Sequence, residues 1–141
     1  MSTEMRKEIV QSLEKIVGKK DVLVGDQVTS RMIHVWYDLP IEAMCIVRPK
    51  TTEEVSKVLS LCNERGQKVI PHGGLTGLVQ GCNVGINDVV LSLEKMDQIE
   101  EIDPMGRTMT VQAGVPLQTL QESAEDHDLM FPMDLGARGS C

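Results

Sequence analysis

The sequence predicts an α/β (α+β) fold in which a small parallel β-sheet with flanking helices is followed by the start of an antiparallel second subdomain. Three observations lead to this prediction. Residues 43–72 follow a strand, helix, strand pattern, residues 88–93 form a nearly continuous apolar run, and apolar and polar residues alternate after Gly106. Because strand, helix and strand follow one another within about 30 residues, the first two strands are expected to be parallel, with a right-handed crossover.

Three helices are predicted from apolar spacing and from end signals. Residues 5–17, "MRKEIVQSLEKIV", place apolar side chains at helical spacing and are followed by a glycine, a natural stop. The second helix begins at a capping box formed by Thr51 and Glu54 and ends near Gly66, where a left-handed cap is expected. The third begins at Pro116.

Four strands complete the predicted fold. They are "AMCIVRP" at 43–49, "KVIPH" at 68–72, "DVVLSL" at 88–93 and "RTMTVQAG" at 107–114. The predicted organisation is an amino-terminal helical segment at 1–40, a first subdomain at 41–105 and an incomplete start of a second subdomain at 106–141.

Composition and charge narrow the classes of function. The 141 residues carry 21 acidic and 14 basic side chains, a net charge of −7, and offer no basic stripe for a nucleic-acid backbone. No apolar run approaches the roughly 18 residues that span a bilayer, and the amino terminus "MSTEMRKEIV" is charged where a signal peptide needs apolar residues. We therefore predict a cytoplasmic protein that neither binds nucleic acid nor spans a membrane.

The cysteines predict neither a metal site nor a disulfide framework. Cys45, Cys62, Cys82 and Cys141 are widely scattered and form no C-x-x-C pair. His72 also has no second histidine or carboxylate at a ligand spacing near it. We expect buried or incidental thiols and no bound metal.

Residues 69–83, "VIPHGGLTGLVQGCN", start as a buried strand and continue into a loop with four glycines. Two interpretations are open. The glycines either supply positive φ for a surface loop, or let the backbone approach a ligand and turn its N–H groups inward around an anion. The position after a parallel strand supports the second, since ligands of parallel sheets gather outside the carboxyl ends of the strands. Neither a Walker A motif nor G-x-G-x-x-G fits, so a P-loop ATPase and a Rossmann dehydrogenase are not supported.

Two segments resemble a known family. "PHGGLTGLVQG" resembles the P-x-G-G-x-T-G-x-x-x-G loop of the FAD-linked oxidases of the vanillyl-alcohol oxidase type, and "FPMDLGARGSC" resembles a second segment of the same family. Within it, the chain is similar to the flavin-dependent D-2-hydroxyacid dehydrogenases, such as D-lactate, D-2-hydroxyglutarate and glycolate dehydrogenases. The resemblance covers about residues 40–141, and it implies that 41–105 and 106–141 belong to two FAD-binding subdomains.

The resemblance also implies a set of cofactor-binding residues. In the first loop they are Pro71, His72, Gly73, Gly74, Leu75, Thr76, Gly77, Leu78 and Gly81, and in the second segment they are Pro132, Asp134, Leu135, Gly136, Gly139 and Ser140. The first loop would hold the FAD diphosphate, with glycines clearing space and a threonine hydroxyl donating to it. The second segment would lie along the flavin and its ribityl chain.

The first loop departs from the family pattern at three positions. Leu75 stands where the family commonly has Gly or Asn, Gln80 where it commonly has Gly, and His72 where it often has Arg or Gln. If position 75 or 80 needs positive φ, the non-glycine residue costs about 1 kcal/mol or more. His72 is expected either to be a satisfied loop residue or to lie beside a phosphate.

Other charged residues carry weaker predictions. Asp38 is expected to be a helix cap or turn acceptor, His34 and His127 to be surface residues, and Arg138 to lie either near the diphosphate or in solvent. A solvated acidic face is expected from Glu53, Glu54, Glu94, Glu100, Glu101 and Asp103.

These patterns lead to two hypotheses of function. In the first, the chain is the amino-terminal part of the FAD-binding domain of an oxidoreductase acting on a D-2-hydroxy acid. No catalytic residue is assigned, because the family's substrate and metal residues lie beyond its second segment. The isolated chain would then be inactive and would retain FAD weakly or not at all. In the second, it is a non-catalytic truncated module that associates with a partner chain or itself through an open sheet edge or apolar face.

Overall fold

The computed structural model describes residues 1–34 and 38–141. Its helices are α1 (Thr3–Val17), the short α2 (Asp26–Thr29), α3 (Thr52–Glu64) and α4 (Leu117–Glu125). Its strands are β1 (Val22–Leu23), β2 (Met32–His34), β3 (Asp38–Pro40), β4 (Cys45–Val47), β5 (Val69–His72), β6 (Val89–Ser92), β7 (Ile99–Asp103) and β8 (Thr108–Val111).

The main sheet has the strand order β1–β4–β6–β5. Both β4 and β5 run parallel to β6, which lies between them, with Val89 of β6 opposite Cys45 on one side and Val69 on the other. The predicted βαβ unit is therefore confirmed, with β6 inserted between its two strands. The two-residue β1, which the sequence did not predict, adds an antiparallel edge.

Both predicted ends of α3 are confirmed. The Thr51 hydroxyl accepts a hydrogen bond from the backbone N–H of Glu54, and the Glu54 carboxylate accepts one from the N–H of Lys50. At the other end of α3, Gly66 has φ of 58°. These contacts satisfy orphan groups at the ends of α3.

Two apolar clusters form the core. Successive side chains of a strand point to opposite faces, so the clusters lie on opposite faces of the main sheet. The first joins α1 and α3 to the sheet through Ile9, Leu13, Val17, Val22, Met44, Cys45, Val47, Val58, Cys62, Val89 and Leu91. The other cluster, here called the second core cluster, consists of Leu23, Val28, Ile33, Ile41, Ile46 and Val90.

Two hairpins flank the main sheet. β2 pairs antiparallel with β3, and β7 pairs antiparallel with β8. The sequence did not predict β2, β3 or β7. The β7–β8 hairpin spans residue 105, where the sequence places a subdomain boundary, and the boundaries themselves stay a prediction.

The described residues also bear on the predictions about membrane-spanning helices and cysteines. No helix in 1–34 or 38–141 is both long and apolar enough to cross a membrane. All four cysteines are free thiols, and burial raises the pKa of the Cys45 thiol to about 12. Cys45 and Cys62 are buried in the first cluster, which confirms the expectation of buried thiols for these two.

Candidate functional site

The glycine loop, defined here as residues 73–81, leaves the carboxyl end of β5 beside the end of β6. His72, the last residue of β5, lies opposite Ser92 in β6, and the N–H of Leu93 donates to the His72 carbonyl at 3.1 Å. The loop therefore starts at the carboxyl edge of the parallel strands, where ligands of such sheets bind.

The backbone donors of the glycine loop are free. No N–H between Gly73 and Gly81 donates a hydrogen bond to any residue in the described ranges. A Cβ added to Gly73, Gly77 or Gly81 would meet no atom within 4 Å. The loop thus combines N–H groups that bond no described residue with open space at three of its glycines, and an anion cradle uses both features.

The backbone angles separate the two interpretations of the glycines. None of Gly73, Gly74, Gly77 and Gly81 lies at positive φ, whereas Leu75 has φ of 58° and Gln80 has φ of 60°. The glycines are therefore not there to supply left-handed backbone. What they provide is space, and the left-handed positions are two of the three at which this chain departs from the family pattern.

His72 closes the base of the loop. It is 3% exposed, and its Nε2–H donates to the Cys82 carbonyl at 2.8 Å. Burial lowers the pKa of His72, and the Arg31 charge lowers it further, although the Cys82 hydrogen bond opposes the shift. His72 is thus a buried, hydrogen-bonded residue that joins the two ends of the loop, and whether it lies beside a phosphate stays a prediction.

The second segment reaches the glycine loop at its last residues. A Cβ on Gly74 would overlap the carbonyl oxygen of Ser140, so the two main chains are in direct contact. The carbonyls of Cys141 and Arg138 accept the N–H groups of Leu117 and Gln118 at 2.7 and 2.9 Å. The start of α4 therefore holds this end of the chain against the loop.

A cleft of about 350 Å³ lies where these elements meet. The glycine loop, the segments after β6 and β8, the start of α4 and the end of the second segment contribute its lining residues: Gly73, Gly74, Leu93, Glu94, Asp97, Ala113, Gly114, Val115, Pro116, Thr119, Ser140 and Cys141. The structure thus brings the two predicted motifs together at one cleft.

Glu94 in this cleft is held by two arginines. Its carboxylate forms a two-point ion pair with Arg31 at 2.7 and 2.8 Å, and Arg48 donates to it at 3.1 Å. Hydrogen bonding from Arg31, with a smaller contribution from Arg48, lowers the pKa of Glu94 to about 2 against the effect of burial. Arg48 also forms an ion pair with the buried carboxylate of Asp21, and Lys50 forms another with the same carboxylate. Glu94 is exposed, as expected of a solvated acidic face, and it is also paired with two arginines.

The remaining second-segment residues do not line the cleft. Pro132, Asp134, Leu135 and Gly136 are exposed and stand apart from the loop, and Gly139 lies beside Gln118. Arg138 is exposed and lies along α4 with Glu122 and Glu125. Among the cofactor-binding residues predicted in the first loop, Pro71 and His72 end β5, and the others lie in the glycine loop. Their roles toward a cofactor stay predictions.

Three other predicted residues can be placed. His34 and His127 are exposed, as expected, and His127 Nδ1 donates to the Ser123 carbonyl at 2.8 Å. Asp38 caps no helix among the described residues, and its role as a turn acceptor stays a prediction. It begins β3 and contacts His34 across the hairpin at 2.6 Å.

Sequence reasoning missed several residues of the cleft. Gly114 follows β8, and a Cβ there would overlap the carbonyl oxygen of Leu93. Its position in "VQAGV" directly after a strand is the signal that could have indicated a close backbone approach. Glu94, Arg31 and Arg48 form one network from distant parts of the chain, and no sequence spacing indicates it.

The residues present fit an FAD diphosphate. The loop N–H groups bond no described residue, the space beside Gly73 and Gly77 is open, and the nearby Glu94 carboxylate is paired with two guanidinium groups. Donors of this kind stabilise a diphosphate without a lysine. In the described ranges, no group of three or more His, Cys, Asp or Glu residues could hold a metal ion.

Comparisons with known proteins agree with this geometry. Residues 43–141 match the family model described as FAD binding domain. A mitochondrial D-2-hydroxyglutarate dehydrogenase of Danio rerio is 45% identical over 96 residues, which cover 68% of this chain and 18% of that protein. A D-2-hydroxyglutarate dehydrogenase of Xanthomonas citri pv. viticola is 39% identical over 98 residues, 70% of this chain and 21% of that protein. The chain therefore spans about a fifth of the length of these relatives.

Solved structures share the fold. Substrate-bound p-cresol methylhydroxylase matches with a TM-score of 0.83 and 22% identity over 99% of this chain and 28% of that chain. Alkyldihydroxyacetonephosphate synthase matches with a TM-score of 0.83 and 17% identity over 95% of this chain and 27% of that chain. At these identities the likeness concerns the fold alone.

Proposed function

The chain belongs to the FAD binding domain family, and on that premise we propose that it is the amino-terminal part of the FAD-binding domain of a dehydrogenase that oxidises a D-2-hydroxy acid. At the coarser level, it is an FAD-binding domain of a flavin-dependent oxidoreductase related to D-2-hydroxyglutarate dehydrogenases. The substrate class is inferred from the names of relatives of which the chain covers only 18% and 21%.

One observation carries the proposal. The glycine loop and the second segment, whose sequences resemble the two FAD-contacting segments of the family, meet at a single cleft through the contact of Gly74 with Ser140.

The residues of this chain would bind and orient the cofactor. Free N–H groups from Gly73 to Gly77 would donate to the diphosphate, and the Thr76 hydroxyl would add another donor. The paired Glu94 would present little net negative charge to it. Bound FAD supplies the acceptor for the hydride taken from the substrate, and the protein supplies position and electrostatics.

The isolated chain is proposed to be inactive and to bind FAD weakly. The aligned residues make up only 18% and 21% of the related dehydrogenases, so residues 1–141 offer only part of the cofactor's contacts. Binding constants depend exponentially on free energy, so losing part of the contacts lowers affinity steeply. The cytoplasmic location stays a prediction, since the name of the Danio rerio relative includes the word mitochondrial.

FAD titration of matched glycine variants tests the proposal. The absorbance spectrum of the purified chain first reports any retained flavin, and calorimetric titration then gives the Kd for added FAD. Gly77→Ala adds a methyl group that meets no protein atom, so we expect normal stability and at least about tenfold weaker binding, or about 1.4 kcal/mol. The control Gly85→Ala lies before the opposite end of β6 and should leave the Kd unchanged. Unchanged affinity in Gly77→Ala would remove the glycine loop from the binding account.

Self-association is a second candidate function, and one surface favours it. A groove of about 510 Å³ lies between the β7–β8 hairpin and the end of α4, lined partly by Ile102, Met109 and Phe131, and Met130 at its rim is 80% exposed. Uncovered apolar surface of this kind invites association. Sedimentation velocity over a range of concentrations tests it, because a strict monomer would contradict it.

A further inference from the structure

Leu75 is a bulky residue at a backbone position that glycine or asparagine adopts most easily. Its φ is 58°, in the left-handed region, where the Cβ of an L-residue crowds its own backbone. Something outside the local backbone must therefore hold residue 75 in this conformation.

The side chain of Leu75 is held by the second core cluster. It is partly buried and packs against that cluster together with Cys82 and Val84, which follow the glycine loop. The loop is thus attached to the core on both sides of its exposed part, in which Val79 is 91% exposed. The hydrogen bond from His72 to the Cys82 carbonyl joins the two ends of the loop.

Gln80 provides an internal comparison. It has nearly the same left-handed φ of 60° but is exposed. Its side chain forms a hydrogen bond with one described residue, accepting from the Asn83 side-chain amide at 3.3 Å. Both residues carry the backbone cost of the left-handed region, and only Leu75 has apolar packing to offset it.

We infer that Leu75 is a positioning residue of the cofactor site: its packing into the second core cluster fixes the conformation of the glycine loop that a diphosphate requires. This inference rests on the proposed function for the identity of the ligand. In this chain tertiary packing replaces the intrinsic preference of glycine or asparagine for the left-handed region. The order of the loop consequently depends on the core beneath it and not on its own residues alone.

Nuclear magnetic resonance relaxation of the loop amides tests the inference without any ligand. In the full 141-residue chain we expect backbone order parameters of about 0.8 for residues 73–77. Leu75→Ala and Leu75→Gly should lower them below about 0.6, and Leu75→Met, which keeps an apolar side chain of similar size, should restore them. The matched control Gln80→Gly should leave residues 73–77 as ordered as in the parent chain.

Titration with FAD gives the second readout. We expect about tenfold weaker binding in Leu75→Gly and Leu75→Ala, and binding within about twofold of the parent in Leu75→Met and Gln80→Gly. Unchanged loop order in Leu75→Gly would overturn the anchoring role, whatever happens to the global unfolding midpoint. An FAD affinity that Gly77→Ala leaves unchanged would overturn the proposed role of the loop in binding, while the relaxation data still decide whether Leu75 orders the loop.

Discussion

Gly74 of the glycine loop lies directly against the main chain of Ser140, and a Cβ at position 74 would overlap the Ser140 carbonyl oxygen and come within 2.9 Å of the Cα of Cys141. This contact by itself requires glycine at position 74 in the folded chain. A larger residue there would separate the two segments of the cleft before any cofactor arrives. Gly73 and Gly77 have no such neighbour and are the informative positions for binding.

Gly74→Ala is therefore expected to destabilise the fold. Forcing a methyl group against a packed backbone costs about 1–3 kcal/mol of unfolding free energy. Gly73→Ala, whose Cβ meets nothing within 4 Å and whose φ is not left-handed, should be neutral or slightly stabilising, by about 0.4–1 kcal/mol. Urea unfolding of both variants measures the difference. Equal stabilities would mean that the contact with Ser140 does not form in solution.

Gln80→Gly is expected to stabilise the chain. Glycine removes the left-handed strain at φ of 60° but loses more entropy on folding, so the net gain should be about 0.5–1 kcal/mol. The exposed contact of Gln80 with Asn83 is lost at little cost. A raised urea midpoint with an unchanged m-value would agree, and a lowered midpoint would show that the left-handed backbone carries no strain here.

Most of the main sheet was predictable because its signals are local. Apolar runs gave β4, β5 and β6, and the Thr51 cap gave the start of α3. The strands that were missed are either very short or charged. β1 has two residues, and β7, "IEEID", pairs its partly buried isoleucines with exposed acids, so that its sequence suggests a solvated face. Their pairing is fixed by partners elsewhere in the chain, which local patterns do not show.

The candidate site was predictable to a similar extent. Family resemblance located the glycine loop and the second segment, and two of the three departures from the family pattern, Leu75 and Gln80, coincide with left-handed backbone. The contact of Gly74 with Ser140 and the pairing of Glu94 with Arg31 depend on tertiary structure. Charge pairs between distant segments have no spacing rule, so a single sequence could not reveal them.

Glu94 should make the stability of the chain depend on acid pH. Its pKa in the folded state is about 2, below the ordinary value of 4.5, so the unfolded chain binds the proton first as the pH falls. The stabilisation from Arg31 and Arg48 is present above pH 4.5 and is lost between there and about 2. Because the pair is 35% exposed on each side, solvent screening limits it to about 1 kcal/mol.

Unfolding midpoints measured across this pH range check the prediction. Glu94→Gln should flatten the decline between pH 4.5 and about 2. The control Glu42→Gln changes an exposed residue that forms no ion pair or hydrogen bond with another described residue, so it should keep the decline of the parent chain. Parallel curves for Glu94→Gln and the parent would contradict a stabilising role of the Arg31 pair.

His72 should add a dependence at higher pH. Its pKa in the folded state lies below 6.5 because the ring is buried, so the unfolded chain takes up a proton more readily. Stability should therefore fall as the pH drops below 6.5, and the glycine loop should loosen as the ring becomes charged. His72→Gln keeps a side-chain N–H for the Cys82 carbonyl and should remove this part of the dependence. A His72 ring that titrates in NMR at or above 6.5 would contradict the prediction.

The N–H groups of the glycine loop should bind a diphosphate even where the whole cofactor binds weakly. Residues Gly73 to Gly77 directly follow β5, so the loop keeps its supporting strand in this chain. ADP carries the diphosphate and adenosine does not, so ADP should shift the amide resonances of residues 73–77 and adenosine should leave them in place. An isolated diphosphate contact of this kind corresponds to a Kd on the order of 1 mM, and added salt should weaken it because the loop is exposed.

Gly77→Ala should weaken the ADP shifts and Gly85→Ala should not, since only the first places a methyl group on the face of the loop. Equal shifts from ADP and adenosine would indicate binding through the base, and the free N–H groups of the loop would then have no part in holding the cofactor.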